Sequence, residues 1–237
     1  NLIVHEDVSI NGRLDVQGDA SFNSNVDITG NLKTNNIEEL NYNSGVTINN
    51  TLIIENNNNV IPIWQRLGQD IDGEAASDRS GGSVSLNGNG TILAIGAILN
   101  SNNGNYAGHV RVYQYENNTS WVQLGQDIDG EAAGDFLGWS VSLNGEGNIL
   151  AIGAIYNGNS AGHVRVYKLN DTDTSWVKLG QDIDGEAAND RSGISVSLNG
   201  NGTILAIGAP YNDNNGRSNA GHVRVYQWND TDTSWVQ

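Results

Sequence analysis

The residues best suited to chemistry stand in a short acidic run. Asp70, Asp72, Glu74 and Asp78 fill positions one, three, five and nine of Asp70-Ile71-Asp72-Gly73-Glu74-Ala75-Ala76-Ser77-Asp78. The run returns as Asp127, Asp129, Glu131 and Asp135, and again as Asp182, Asp184, Glu186 and Asp190. Carboxylates at that spacing can wrap a hard cation such as calcium in oxygen ligands. Paired carboxylates also suit glycoside hydrolysis, but catalysis asks for a unique constellation and this one is copied. The preferred reading is a turn whose acids cap backbone N–H groups or meet Arg79 and Arg191. His109, His163 and His222 each stand in Ala-Gly-His-Val-Arg-Val-Tyr. They read as packed strand histidines on separate repeats rather than ligands of one metal. Arg111, Arg165 and Arg224, two residues on, share their face and are expected to pair with nearby acids. The sequence therefore assigns no catalytic, cofactor-binding or metal-binding residue, and implies no cofactor.

These groups are positioned by a tandem repeat. Leu67–Tyr113 recurs as Leu124–Tyr167 and Leu179–Tyr226, each preceded by a tryptophan. Trp64, Trp121, Trp176 and Trp235 follow one another at steps of 57, 55 and 59 residues, a spacing that predicts a fourth copy opening at Trp235. Repetition at a fixed period has to be settled before any local reading. Each copy holds four strand-like runs. Ser83–Leu86 alternates small polar with apolar residues, which predicts one buried and one open face. Asn87-Gly88-Asn89-Gly90 is a turn. Ile92–Ile95 is unbroken and apolar, as in a strand covered on both sides. His109–Tyr113 and Ser120–Leu124 complete the unit. No stretch of ten residues has helical spacing. The fold class is thus all-β. A lone four-stranded sheet has two apolar faces it cannot cover, so stacked copies are required. Blades of a β-propeller fit this pattern, with a threefold β-trefoil as the rival.

Asp135–Leu143 followed by Ile149–Ala154 resembles the FG-GAP repeat of integrin α-chain propellers. Gly208-Ala209-Pro210 carries the second word in full, where the earlier copies read Gly96-Ala97-Ile98 and Gly153-Ala154-Ile155. Of the first word only the glycine survives, in Ser80-Gly81, Leu137-Gly138 and Ser192-Gly193. The resemblance covers about Trp64–Gln237. It implies a calcium loop between the first and second strands, with acidic ligands at loop positions one, three, five and nine. Here those positions hold Ser85, Asn87, Asn89 and Leu93; then Ser142, Asn144, Glu146 and Leu150; then Ser197, Asn199, Asn201 and Leu205. Almost no charge and an apolar ninth residue argue against calcium there.

Over 237 residues the net charge is −16, which excludes a nucleic-acid grip and disfavours anionic membranes. The chain has no cysteine and so no thiol chemistry. No apolar run approaches a membrane span and no signal peptide stands at the start. Methionine is absent even at residue 1, pointing to a processed, excised or partial chain. Abundant asparagine and glycine suit turn-rich extracellular β structure.

Residues 5–34 carry a shorter period. Val8/Ile10, Leu14/Val16, Ala20/Phe22, Val26/Ile28 and Leu32 recur every six residues, with Gly12, Gly18, Ser24 and Gly30 between them. That hexad rule predicts a β-helix or β-prism stalk. So few apolar side chains cannot offset the ordering of the segment, and partner chains must share the core. This segment, with Gly45–Ile48 and Thr51–Ile54, resembles the trimeric fibre stalks of viruses and phages. A small β sandwich is the alternative. Asn56–Asn59 is a polar break. The expected domains are an oligomerising stalk over 1–59 and propeller repeats over 60–237, with copies at about 64–120, 121–175 and 176–235. Three blades fall short of a ring, so the propeller is expected to be incomplete. Asn49, Asn89, Asn117, Asn118, Asn170, Asn201 and Asn229 open glycosylation sequons.

The function expected is a non-enzymatic fibre or attachment protein, extracellular or on a virion surface. It would be a homotrimer through residues 1–59, touching a host-surface protein or glycan, or neighbouring structural subunits, with no nucleic acid and no membrane insertion. Loops Asn100–Tyr106, Asn157–Ser160 and Asn212–Asn219 differ among copies and would form the contact surface. The alternative is a secreted propeller lectin or glycan-active enzyme, which needs unique aromatics and acids. Phe136 and Trp139 are the departures from the repeat of that kind.

Overall fold

The three copies of the repeat become three antiparallel sheets with one strand order. The computed structural model describes residues 54–56, 59–61, 66–213 and 216–237, and the chain divides into two units, Asn1–Trp64 and Gln65–Gln237. In the first unit, β1 (Ile54–Asn56) and β2 (Asn59–Ile61) pair as a hairpin. The hexads, the stalk, its trimerisation, the sandwich alternative and Asn49 lie outside the described residues.

In the second unit, β3 (Ser80–Leu86), β4 (Ile92–Ala97), β5 (His109–Glu116) and β6 (Ser120–Gln123) form the first sheet in that order. The short β7 (Ile128–Asp129) continues the outer edge beside β5. The second sheet repeats this with β8 (Leu137–Leu143), β9 (Ile149–Ala154), β10 (His163–Leu169), β11 (Trp176–Lys178) and β12 (Ile183–Asp184). The third holds β13 (Ser195–Leu198), β14 (Ile204–Ala209), β15 (His222–Asn229) and β16 (Ser234–Val236). A single irregular turn, α1 (Asn157–Ser160), interrupts the link from β9 to β10. The register is conserved from sheet to sheet, Ala94 facing Val112, Ala151 facing Val166 and Ala206 facing Val225. Three separate blade-like sheets replace the trefoil rival.

The first-to-second-strand turns are built by asparagine. Asn87 Oδ1 accepts from the N–H groups of Thr91 and Ile92, both at 2.9 Å, and Asn199 repeats this on Thr203 and Ile204. Asn144 accepts three, from Gly147, Asn148 and Ile149 at 3.0 Å. These side chains hold backbone donors that would otherwise lack partners.

The core lies between sheets, not within one. Ala94, Val110 and Val112 of the first sheet pack against Leu137, Val141, Leu143, Leu150 and Ile152 of the second. Val164, Val166 and Ala151 meet Leu205 and Ile207 of the third in the same way. Small polar groups complete each seam. Ser83 Oγ donates to Gly138 O and Ser140 Oγ to Gly193 O, each at 2.7 Å. Gly88 N donates to Gly145 O and Gly145 N to Gly200 O, each at 2.8 Å.

Two expectations are corrected. In the first two sheets the Ser-Val-Ser-Leu strands do not have an open serine face: Ser140 bonds the following sheet while Val141 is buried against the preceding one, and only in the third are Ser195 and Ser197 exposed. Alternation here sorts two kinds of neighbour rather than core from water. Trp235 also does not open a fourth copy. The four residues Asp230–Thr233 are enough to turn β15 back into β16, so Trp235 closes the third sheet, as Trp121 and Trp176 close the first and second.

Candidate functional site

Antiparallel order sends the loops joining second to third strands, and those carrying the acidic runs, to the same end of the sheets. The two loop sets are knitted together. Gly134 N donates to Asn105 O and Phe136 N to Tyr106 O; Asn189 N donates to Asn159 O and Arg191 N to Ser160 O. The turns carrying the sequon asparagines Asn89, Asn117, Asn118, Asn170, Asn201 and Asn229 belong to the opposite end.

At the loop end the backbone holds large side chains in a conformation they seldom adopt. Arg79, Phe136 and Arg191 occupy one equivalent position at φ 57°, 57° and 52°. Tyr106, Ser160 and Asn219 occupy another at φ 58°, 64° and 51°. Positive φ at bulky residues is strained and is sustained by the surrounding bonds. The result is a row of rings crossing the three sheets. Tyr106 and Phe136 have centroids 6.0 Å apart, and Phe136 and Tyr156 5.0 Å. Trp139 meets Tyr156 edge-on at 6.4 Å. The Arg191 guanidinium lies over Tyr156 at 5.1 Å and over Tyr211 at 4.7 Å. Tyr106 and Tyr211, at the two ends of the row, are more than two-fifths exposed. Phe136 and Trp139 were legible as departures from the repeat. Tyr106 stood in a loop expected to make contacts and Arg191 was expected on the acids instead; Tyr156 and Tyr211 were missed, though their changing identity inside a constant frame was the available signal.

The four acids of a run are not gathered on one centre, and those at its end serve the backbone. Asp78, Asp135 and Asp190 are buried and accept from the N–H groups of Ala75, Ala132 and Ala187 at 3.2, 3.0 and 3.0 Å. Asn100 and Asn212 add side-chain bonds to Asp78 and Asp190 at 3.0 and 2.8 Å. That is the capping expected. Of the two sets of arginine partners expected, the strand arginines meet the acids, whereas Arg191 stacks on tyrosines. Arg111 lies 3.6 Å from Glu74 and donates to Asp72 O at 2.8 Å. Arg165 grips Asp182 with two bonds, at 2.9 and 3.0 Å, and also pairs with Glu131. Arg224 instead donates to Asp184 O and Ser192 Oγ. Strand arginines reach the runs because the side chain two residues after each histidine is buried on the same face.

The electrostatics follow. Burial works against the Arg165 charge, but its bonds to Asp182 and Glu131 outweigh that and hold its pKa above the ordinary value. Burial likewise pushes Asp182 up, yet hydrogen bonds from Arg165 and Lys178 bring it down to about 2. Burial, with Arg165 beside it, lowers His163, which stays neutral. Asp129 is raised by burial and then by the Asp127 carboxylate. Two trios place ligand-type atoms within 4.8 Å of one another: Glu74, His109 and Asp127, and Glu131, His163 and Asp182.

Among solved structures the chain is similar to a candidate 6-phosphogluconolactonase of Bacteroides uniformis, at 14% identity and TM-score 0.46, over 78% of this chain and 45% of that one. It is also similar to Sqt1 of Saccharomyces cerevisiae, at 16% and 0.44, over 73% and 37%. The periplasmic gluconolactonase PpgL of Pseudomonas aeruginosa matches at 14% and 0.40, over 65% and 43%. The chain thus spans less than half the length of each of these proteins. No curated protein matches it. Residues 183–226, from β12 through most of β15, match the FG-GAP repeat family model. The match takes in β13, β14 and most of β15 of the third sheet, and the two sheets before it carry the same strands in the same register.

Proposed function

We propose that this chain is a non-enzymatic attachment module, and that the row of rings at the loop end is its contact surface. The observation that carries the reading is the Tyr106–Phe136–Tyr156–Arg191–Tyr211 row, continuous over three sheets and set in strained backbone. Aromatic faces backed by asparagine amides suit the C–H faces and hydroxyls of a glycan, so a surface glycan is the favoured partner. By contrast, the acids recur in every unit and are spent on internal bonds, an arrangement that serves the frame rather than one reaction.

The sheets are blades of a larger propeller in this proposal. Val110 and Val164 are fully buried between sheets, whereas their equivalent Val223 is 66% exposed. At the other end Val84 is 62% exposed, where its equivalent Val141 is buried. Each open face has the shape of a seam already formed twice within the chain, and further units of this kind would cover both. The hexad segment would trimerise as a stalk and present the blades outside the cell or on a virion surface.

The test is a glycan array probed with the whole chain, with Tyr106→Ala and Tyr211→Ala alongside. Each exposed ring removed should lower binding on the order of tenfold or more, with the unfolding midpoint unchanged. Binding indifferent to both substitutions, or confined to protein receptors on cells, would overturn the glycan assignment. Sedimentation of the whole chain should give a trimer; a monomer removes the stalk.

A further inference from the structure

The first two sheets carry the same trio of possible ligands, but surround it differently. In the second, Arg165 sits against both carboxylates and Lys178 Nζ adds a bond to Asp182 at 2.8 Å. Two cations neutralise two acids. In the first, glutamine stands where the second has lysine: Gln123 Nε2 donates to Asp127 Oδ1 at 2.7 Å and brings no charge. Arg111 is turned toward the Asp72 carbonyl, with its other nitrogen 3.6 Å from Glu74. Against Glu74 and Asp127 the first sheet thus sets one guanidinium where the second sets a guanidinium and an ammonium, which leaves a surplus of negative charge.

Into this surplus points a buried donor without a partner. His109 is 1% exposed, and its Nδ1 makes no hydrogen bond. That atom lies 3.8 Å from Glu74 Oε2, and the three ligand atoms of Glu74, His109 and Asp127 lie within 4.8 Å of one another. A tetrahedral zinc ion with bonds of about 2.0–2.2 Å spaces its N and O ligands by roughly 3.3–3.6 Å. Small rotations of the partly exposed Glu74 and Asp127 carboxylates reach that spacing while the histidine stays fixed.

We propose that Glu74, His109 and Asp127 form a binding site for a divalent transition cation of the zinc class, with water completing the shell. An imidazole nitrogen with two carboxylate oxygens selects such ions over calcium or magnesium, which prefer oxygen alone. The inference is independent of the glycan reading. It assigns one site, in the first sheet, because Arg165 and Lys178 already fill the equivalent place in the second.

The experiment is calorimetric titration of zinc chloride into the whole chain, with proton NMR of the histidine rings. One saturable equivalent should bind and shift the His109 ring signals while those of His163 stay in place. Glu74→Gln and Asp127→Asn should each weaken binding by at least the roughly tenfold lost on removing an outer-shell partner. Gln123→Lys, a surface change that restores the second sheet's arrangement, should weaken it too. Glu131→Gln should leave it unchanged. Absence of saturable heat, binding that survives both first-sheet substitutions, or equal shifts at His109 and His163 would each overturn the assignment.

Discussion

Replacing Gly153 by alanine tests how the sheets are held together, because the chain supplies its own control. A Cβ at Gly153 would fall on Gly193 O of the next sheet and within 2.6 Å of Ser140 Oγ, far closer than the 3.0 Å that real Cβ atoms keep. It would also sit where Ser140 Oγ donates to Gly193 O. Overpacking of a fitted seam costs roughly 1–3 kcal/mol, and the lost hydrogen bond about 0.5–1.5 kcal/mol. Reduced freedom of the unfolded chain returns about 0.4–1 kcal/mol. The net destabilisation expected is about 2–3 kcal/mol on these central values. At Gly208, the equivalent in the third sheet, the new atom meets Ser195 Oγ of its own sheet, and the next nearest atom is 3.8 Å away. A hydroxyl rotates, so Gly208→Ala should lie within about 1 kcal/mol of the parent. Urea unfolding followed by tryptophan fluorescence reads the difference. With a slope of about 2 kcal/mol per molar, Gly153→Ala should lower the midpoint by about 1 M and Gly208→Ala hardly move it. Equal shifts for the two alanines would show that this glycine serves its own strand, and the seam argument would fail.

Asp190→Ala should destabilise by about 2 kcal/mol or more, since it strands both the Ala187 N–H and the Asn212 amide in a buried site; a thermal midpoint equal to the parent's would contradict the capping role. Stability should also fall as the solution is acidified, in two windows. His163 has its folded pKa below its unfolded value near 6.5, so the unfolded chain takes up more protons and stability declines below about pH 6.5. Asp182, held at about 2, contributes above its unfolded pKa of 3.8 and loses that contribution as pH falls toward 2. Asp182→Asn should flatten the second window and deepen the first, because the lost carboxylate was holding His163 up, as read from denaturation midpoints across pH.

The strand pattern was legible because each run has a period or a length with one physical meaning. Ser83–Leu86, Ile92–Ile95 and His109–Tyr113 fall within strands of the first sheet, and Ser120–Leu124 overruns its strand by one residue. That Trp121 closes its own unit was legible, but that Trp235 does the same was not. A repeat fixes spacing but not phase, and only the tight turn at Asp230–Thr233 shows that Trp235 pairs backward. The arginine partners of the acids were legible only in part, the strand arginines rightly and Arg191 wrongly. Arg79 and Arg191 are near the runs in sequence, whereas Arg111 and Arg165 reach them across the sheet. The capping acids are local, three residues from the N–H they hold, and local chemistry could be read.

The repeat also separates frame from function by a criterion that needs no other sequence. A residue present three times with the same bonds belongs to the frame: Asn87, Asn144 and Asn199 in the turns, and Gln69, Gln126 and Gln181, each bonding the backbone of the next tryptophan. A position whose backbone is constant but whose side chain changes is free for use, as at Arg79, Phe136 and Arg191 with φ near 55° in each case. The most telling positions change the charge around an otherwise constant set. Gln123 against Lys178 is such a pair, one neutral and one cationic on the same aspartate. That single substitution leaves one trio short of positive charge while its copy is balanced, so copies built alike need not bind alike.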